Sequence, residues 1–449
     1  MGTHHIRAPY GGAITKTFLL TLLALAACSA GFAQWPGKGK LDAFFDRLAE
    51  KNKAMGSLCI SRDGHTLYHR SIGYSYVNGA YRKPLTDATR LRIGSVSKMF
   101  TATMVLQLVE EGKLQLTDTL GRFFPQLPNA GKVTMLHLLA HRSGMPGIQD
   151  GSGRTKPKTH DEILAQMARG TPAFEPGTQY AYSNSGYIVL GYIIEKLTGK
   201  SYEEALQERV AAKAGLKDTH AGTGYTDTSK NEGFSYQYLG DWQQEKETHL
   251  SIPGGAGALL STAADLARFI NALFSLQLVS NESLRQMKEN ELGMATFTYN
   301  NKTFYGHTGG IDNFGAWLMY QPEEKLAVAY ATNAKVYPVG NIIDGITSIY
   351  YDQPFTVPAF ETVVVSSDLL DKYTGVYANP EAPATFTVTR DGGKLLIQLP
   401  DKSVVPLDPV SQNRFKAGSF PLEFRFDAGK NEMTIIRDGR ERVFTKEKM

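Results

Sequence analysis

The chain has 449 residues, 42% of them apolar, more than one ordinary domain uses and enough to fill two or three cores. Its net charge is +4, with no basic stripe interleaved with aromatics and no run of like charge, so it lacks the electrostatic footprint of a nucleic-acid binder. Cys28 and Cys59 are its only cysteines, which excludes a disulfide framework.

Residues 1–33 read as an export signal: Lys16 precedes the apolar stretch Phe18–Ala27, and small residues run on to Ala33 with Gly31 at the −3 position. The stretch is shorter than the roughly 20 apolar residues a bilayer span needs. Cleavage after Ala33 is expected to give a soluble secreted or periplasmic protein. Leu25-Ala26-Ala27-Cys28 also resembles a bacterial lipobox, which would instead place a lipid anchor on Cys28.

Residues 34–355 are expected to form the main domain. Leu41, Phe44, Phe45 and Leu48 recur at i, i+3, i+4, i+7, which predicts an amphipathic helix lying on a flat surface. Ser57–Ser61 and Thr66–Ile72 flank Arg62-Asp63-Gly64-His65 as a hairpin, and Gly315–Tyr320 with Leu326–Thr332 repeat the pattern around Pro322–Lys325. The two hairpins are expected to share one antiparallel sheet, drawn from about 55–75 and 303–333. A helical insertion over about 98–290 separates them. Within it Lys98–Val109 is a buried helix stopping at Gly112, Ser201 and Glu204 form a capping box, and Thr262 with Asp265 opens a helix reaching Phe274. The fold class is therefore α+β, an α/β sandwich whose antiparallel sheet is flanked by helices and carries an all-α insertion, with a natural cleft at the seam. Residues 366–449 show short period-2 strands and turns such as Asp391-Gly392-Gly393, a separate small all-β domain with no cluster of reactive side chains.

Three short motifs carry chemistry. Ser95-Val96-Ser97-Lys98 holds the chain's one S-x-x-K, and a spacing of three on a helix brings the lysine within reach of the serine hydroxyl. A free lysine titrates near 10.4, so acting as a base near neutrality requires a depression of about three units, which burial in the seam could supply. Tyr182-Ser183-Asn184 follows the turn Pro176-Gly177 and is placed on a loop; Tyr182 is the alternative proton carrier, and the Asn184 amide is suited to hold a substrate carbonyl. His307-Thr308-Gly309-Gly310 ends a strand-like run, with glycines that let a substrate approach the backbone. The backbone N–H groups of Ser95 and Gly310 are the candidate oxyanion donors. Cys59, in an apolar alternation, is assigned no role. His137 and His141 lie four apart, but Leu138 stands where H-E-x-x-H needs its glutamate, so no metal is called for, nor any organic cofactor.

Together these motifs resemble those of the serine penicillin-recognising hydrolases: class C β-lactamases, D-alanyl-D-alanine carboxypeptidases, D-aminopeptidases and related esterases. The likeness runs from about Ser57 to Asn333 and includes Leu91-Arg92-Ile93-Gly94-Ser95 and His137-Leu138-Leu139-Ala140-His141-Arg142-Ser143-Gly144. It implies that Ser95 is acylated, that Lys98 and Tyr182 handle protons, that Asn184, Thr308, Gly309 and Gly310 contact a small-molecule or peptide substrate, and that His307 stands where many members carry lysine. Tyr373-Thr374-Gly375-Val376-Tyr377 is similar to the start of a lipocalin-like barrel often appended to such proteins. With histidine in place of a permanent ammonium, the pull on a substrate carboxylate weakens, and peptidase or esterase action is expected over efficient β-lactam hydrolysis. If His307 must be neutral to donate a hydrogen bond, turnover should rise between about pH 5.5 and 7.5.

Overall fold

The computed structural model describes residues 1–3, 35–148, 151–360, 363–400, 402–417 and 422–447; the apolar stretch Phe18–Ala27, Cys28 and the Ala33 cleavage position lie outside them. Among the described residues no helix is long and apolar enough to cross a membrane.

Helix α1 (Lys38–Glu50) leads into strands β1 (Met55–Arg62) and β2 (His65–Ile72). Helices α2 (Ser97–Glu110), α3 (Asn184–Thr198) and α4 (Ala263–Phe274) occupy the middle of the chain. Strands β3 (Ala295–Tyr299), β4 (Lys302–Ile311), β5 (Phe314–Gln321) and β6 (Leu326–Ala334) follow, then helix α5 (Val339–Tyr350).

The six strands form one antiparallel sheet in the order β3-β4-β5-β6-β1-β2. Its central seam pairs the two ends of the domain, with Leu58 opposite Tyr330 and Cys59 opposite Ala329. The two hairpins anticipated from the sequence therefore share a sheet. At the β1–β2 turn Asp63 and Gly64 both take positive φ, 49° and 78°, the pair of left-handed conformations that suits a two-residue hairpin.

Strand periodicity explains the layers. Leu58, Ile60, Val328 and Tyr330 pack with Phe45 and Leu48 of α1 and Ile342, Ile343 and Ile346 of α5. The alternate residues Cys59, Ala327 and Ala329 belong to the opposite core, with Leu266, Phe269 and Ile270 of α4. Covering both faces removes any polar alternation, and β6 is buried throughout.

Helix α2 is buried on all sides from Ser97 to Leu108, in keeping with its nearly continuous run of apolar and small residues, and the chain turns away at Gly112 with φ 70°. The capping box at Ser201 and the Thr262 cap both form. The middle is less purely helical than expected. Leu91–Arg92, His220–Ala221 and Leu259–Ser261 make a three-stranded sheet, each strand too short to leave a periodic trace in the sequence. Strand β3 was also missed, being a half-exposed edge with little apolar contrast.

Eight strands from Gly375–Asn379 to Arg440–Lys446 close into a barrel filled by residues such as Tyr377, Leu395, Ile397, Phe424, Phe426 and Phe444. The barrel meets the main body through the Lys53–Asp408 pair at 3.5 Å and through Lys394, whose ammonium lies 4.8 Å from the centre of the Tyr238 ring.

Candidate active site

The strand Leu91–Arg92 pairs with Leu259–Ser261 and delivers the chain to a 3₁₀ turn, Gly94–Val96, directly ahead of α2. Ser95 thus sits on this turn rather than inside the helix, while Lys98 falls in the first turn of α2. Gly94 has φ 49°, and a methyl there would come 2.7 Å from the backbone nitrogen of Gly310 on β4. Across the same gap a methyl on Gly309 would come 1.9 Å from the Ile93 carbonyl oxygen and 3.1 Å from the Ser95 backbone nitrogen. Only paired glycines let β4 run this close to the turn that carries Ser95.

Lys98 is fully buried, and its Nζ lies 3.0 Å from Ser95 Oγ, 2.8 Å from Asn184 Oδ1 and 2.9 Å from the Ala256 carbonyl oxygen. Burial lowers its pKa to about 7. The Asn184 and Ala256 oxygens can only accept, so in the neutral amine they take both N–H bonds and the lone pair is left facing Ser95. Ala256 had no signal in the sequence beyond its setting in the glycine cluster Gly254-Gly255-Ala256-Gly257.

Tyr182 precedes α3, and Asn184 opens that helix rather than lying on the loop before it, with Ser183 as the cap. The Tyr182 ring lies 4.8 Å from Lys98 Nζ and 6.2 Å from the His307 ring. Burial pushes its phenol up to about 12, with the neighbouring Ser95 hydroxyl pulling the other way. Behind it is His141, a residue that sequence reasoning weighed only as a metal ligand. Its ring packs 4.4 Å from Tyr182, and its Nδ1 accepts from the Ser183 N–H at 3.0 Å, so it fixes the segment carrying Tyr182. Burial, then Lys98 and His307, lower the His141 pKa to about 3, which keeps the ring neutral.

His307 lies on β4 with its partners Thr308, Gly309 and Gly310, opposite Leu318 to Gly315 of β5. Burial lowers its pKa to about 4, against the pull of its own hydrogen bond to the Thr308 carbonyl. A carbonyl only accepts, so Nδ1 carries the proton and Nε2 of the neutral ring is an acceptor. Two expectations are corrected. The neutral ring has no N–H free for a substrate, and burial places its titration below the pH 5.5 to 7.5 window, since the sequence reading applied burial to Lys98 and gave His307 the free imidazole's value.

These groups meet at a cavity of about 490 Å³, lined among others by Ser95, Tyr182, Asn184 and Gly310. Lys98 and His307 stand behind its wall, and Thr308 and Gly309 are likewise not among the lining residues. Their part is internal: the Thr308 carbonyl holds His307, and Gly309 permits the close approach to Ser95.

An antiparallel sheet drawn from both ends of the domain, helical layers around it and an S-x-x-K serine at the seam define a serine-hydrolase fold. The chain belongs to the family described as Beta-lactamase, whose model matches residues 41–345. It is 25% identical over 445 residues to a penicillin-binding protein of Bacillus subtilis strain 168, covering 89% of this chain and 97% of that protein. The D-amino acid amidase of Ochrobactrum anthropi SV3, solved with L-phenylalanine amide, superposes with a TM-score of 0.62 at 27% identity, over 70% of this chain and 98% of that one. The octameric penicillin-binding protein homologue of Pyrococcus abyssi matches over 91% of this chain and 99% of its own, with a TM-score of 0.60 and 25% identity.

Proposed function

We propose that the protein is a serine hydrolase that works through an acyl-enzyme on a small amide, D-peptide or ester, with peptidase or esterase action favoured over efficient β-lactam hydrolysis. The observation that carries this reading is the 3.0 Å contact between Ser95 Oγ and Lys98 Nζ, a buried amine lowered to about 7 whose other two partners, Asn184 Oδ1 and the Ala256 carbonyl, can only accept. Lys98 takes the Ser95 proton as Oγ bonds to the substrate carbonyl carbon. The backbone N–H groups of Ser95 and Gly310 receive the negative charge on the carbonyl oxygen, and Asn184 steadies the substrate. The proton then passes to the departing alcohol or amine through Tyr182, whose phenol, raised to about 12, remains protonated and suits an acid or relay better than a base. Water repeats the sequence to release the acid. His307 acts from behind the wall as a neutral acceptor. Intact machinery at all four positions favours an enzyme over a penicillin-binding sensor or a silent binding protein.

The organisation proposed with it is a hydrolase domain over 34–355 and the barrel domain over 366–449, in a protein exported to the periplasm or beyond, with Cys28 as an alternative lipid anchor. Intact-mass spectrometry after mixing with an ester, a D-peptide and a cephalosporin tests the mechanism. One acyl adduct per chain, absent in Ser95→Ala, is expected; an adduct that survives Ser95→Ala overturns it.

A further inference from the structure

We infer that Arg92, Thr248 and Asp312 are positioning residues for the oxyanion hole: they set the gap between the turn carrying Ser95 and the end of β4, and so the spacing of the Ser95 and Gly310 N–H donors. This rests on Ser95 being the nucleophile and adds what holds its two donors in place.

The two donors lie far apart in the chain, and each has a charged residue close by. Arg92 comes three residues before Ser95, and Asp312 two residues after Gly310. Arg92 is held opposite Leu260 by the short strand Leu91–Arg92, whereas Asp312 sits with φ 51° in the tight β4–β5 turn between Ile311 and Phe314. Thr248 joins them. Its carbonyl accepts from Arg92 Nη1 at 2.6 Å, while its N–H and hydroxyl donate to the Asp312 carboxylate at 2.9 and 2.8 Å. Arg92 Nη1 also faces Asp312 Oδ2 at 3.5 Å, which completes a triangle. Glu247 accepts from the other arm, Nη2, at 2.7 Å, and the Phe314 ring centre lies 5.6 Å from the guanidinium carbon. The side chains of Arg92, Glu247 and Asp312 are all buried. Buried ion pairs add little net stability over apolar residues of similar volume, so stability alone does not account for this cluster. Charge-assisted bonds directed by a planar fork do hold backbone segments at a set distance. Gly94 and Gly309 let the turn and β4 approach, and the triangle keeps them there. The distance matters because an oxyanion donor is effective within about 2.7–3.1 Å of the developing charge.

A matched pair of substrates tests this: 4-nitrophenyl acetate and its thiono analogue, with sulfur in place of the carbonyl oxygen. In each, Ser95 Oγ bonds to the carbonyl or thiocarbonyl carbon, the serine proton goes to Lys98, and 4-nitrophenolate leaves with the bonding electron pair. Thiocarbonyl sulfur is larger and accepts hydrogen bonds poorly, so the thiono ester draws little on the two donors. Both kcat/KM values are read on one preparation, which makes their ratio independent of how much of a variant is folded. Wild type is expected to favour the oxygen ester by at least about 100-fold. The ratio should fall by at least about tenfold in Asp312→Asn, which keeps the size but not the charge, and in Arg92→Lys, which keeps the charge but not the fork. Variants whose two rates fall together or stay unchanged overturn the inference, as does a wild type that does not distinguish the esters. If intact-mass spectrometry finds no ester-derived adduct on Ser95 of the wild type, the nucleophile itself is overturned and the inference with it.

Discussion

Asn184 Oδ1 lies 2.8 Å from Lys98 Nζ, and this contact orients the amine. A neutral amide can accept from the amine without adding charge, so burial acts unopposed and keeps the lysine near 7.

Lys98 serves as base only when unprotonated, so kcat/KM should climb as pH rises through about 7 and then level off. Asn184→Asp puts an anion beside the ammonium, favours the protonated form and should move this limb to higher pH by roughly 1–3 units. A limb that stays in place in the variant would show that another group is titrating.

His307 should be silent over the same range. Its pKa, lowered to about 4, places its protonation below the limb set by Lys98. His307→Asn should therefore lower the plateau without shifting the midpoint, read from the same pH series. A moved midpoint would return His307 to the titration.

Two neighbouring glycines should respond in opposite ways. At Gly309 a methyl would meet the Ile93 carbonyl oxygen at 1.9 Å, forcing β4 away from Ser95, whereas at Gly310 the closest atom is the flexible end of Lys335 at 3.9 Å. Gly309→Ala is expected to lose about 100-fold in kcat, the scale of an ångström's misplacement, and Gly310→Ala to stay close to wild type. Steady-state kinetics on the two purified variants checks the contrast.

Asp312 should matter for stability. Its carboxylate accepts from Arg154 at 2.8 Å and from the Thr248 N–H and hydroxyl at 2.9 and 2.8 Å, and it faces Arg92 at 3.5 Å. Asp312→Ala strips a fully buried guanidinium of one of its two carboxylate partners and leaves several donors unanswered, a loss of about 3–5 kcal/mol. Urea unfolding of the variant measures it; a change under about 1 kcal/mol would mean that water replaces the lost carboxylate.

Much of this site was legible because its chemistry is local. The Ser95–Lys98 spacing is short enough to read from the chain, turn-bounded apolar runs exposed β1 and β6, and a period-3.6 pattern exposed α1. What stayed hidden depends on distant partners. Ala256 reaches Lys98 across 158 positions, and Asp312 gathers groups from three separate segments. His141 carried a visible side chain, but its use as a buttress follows from packing against Tyr182 that no spacing encodes. The lowered pKa of His307 is the same kind of property, since it comes from the surroundings rather than the residue.

The pairing of β1 with β6 has a consequence for biosynthesis. Leu58 cannot find Tyr330 until almost all of the sheet and its helices have been translated, and Ser95 cannot be flanked by Gly310 before then. A nascent polypeptide therefore carries Ser95 early and completes its surroundings late, with an open sheet edge awaiting a strand made last. Premature termination before Leu326 would yield a sticky, powerless fragment instead of a weakened catalyst.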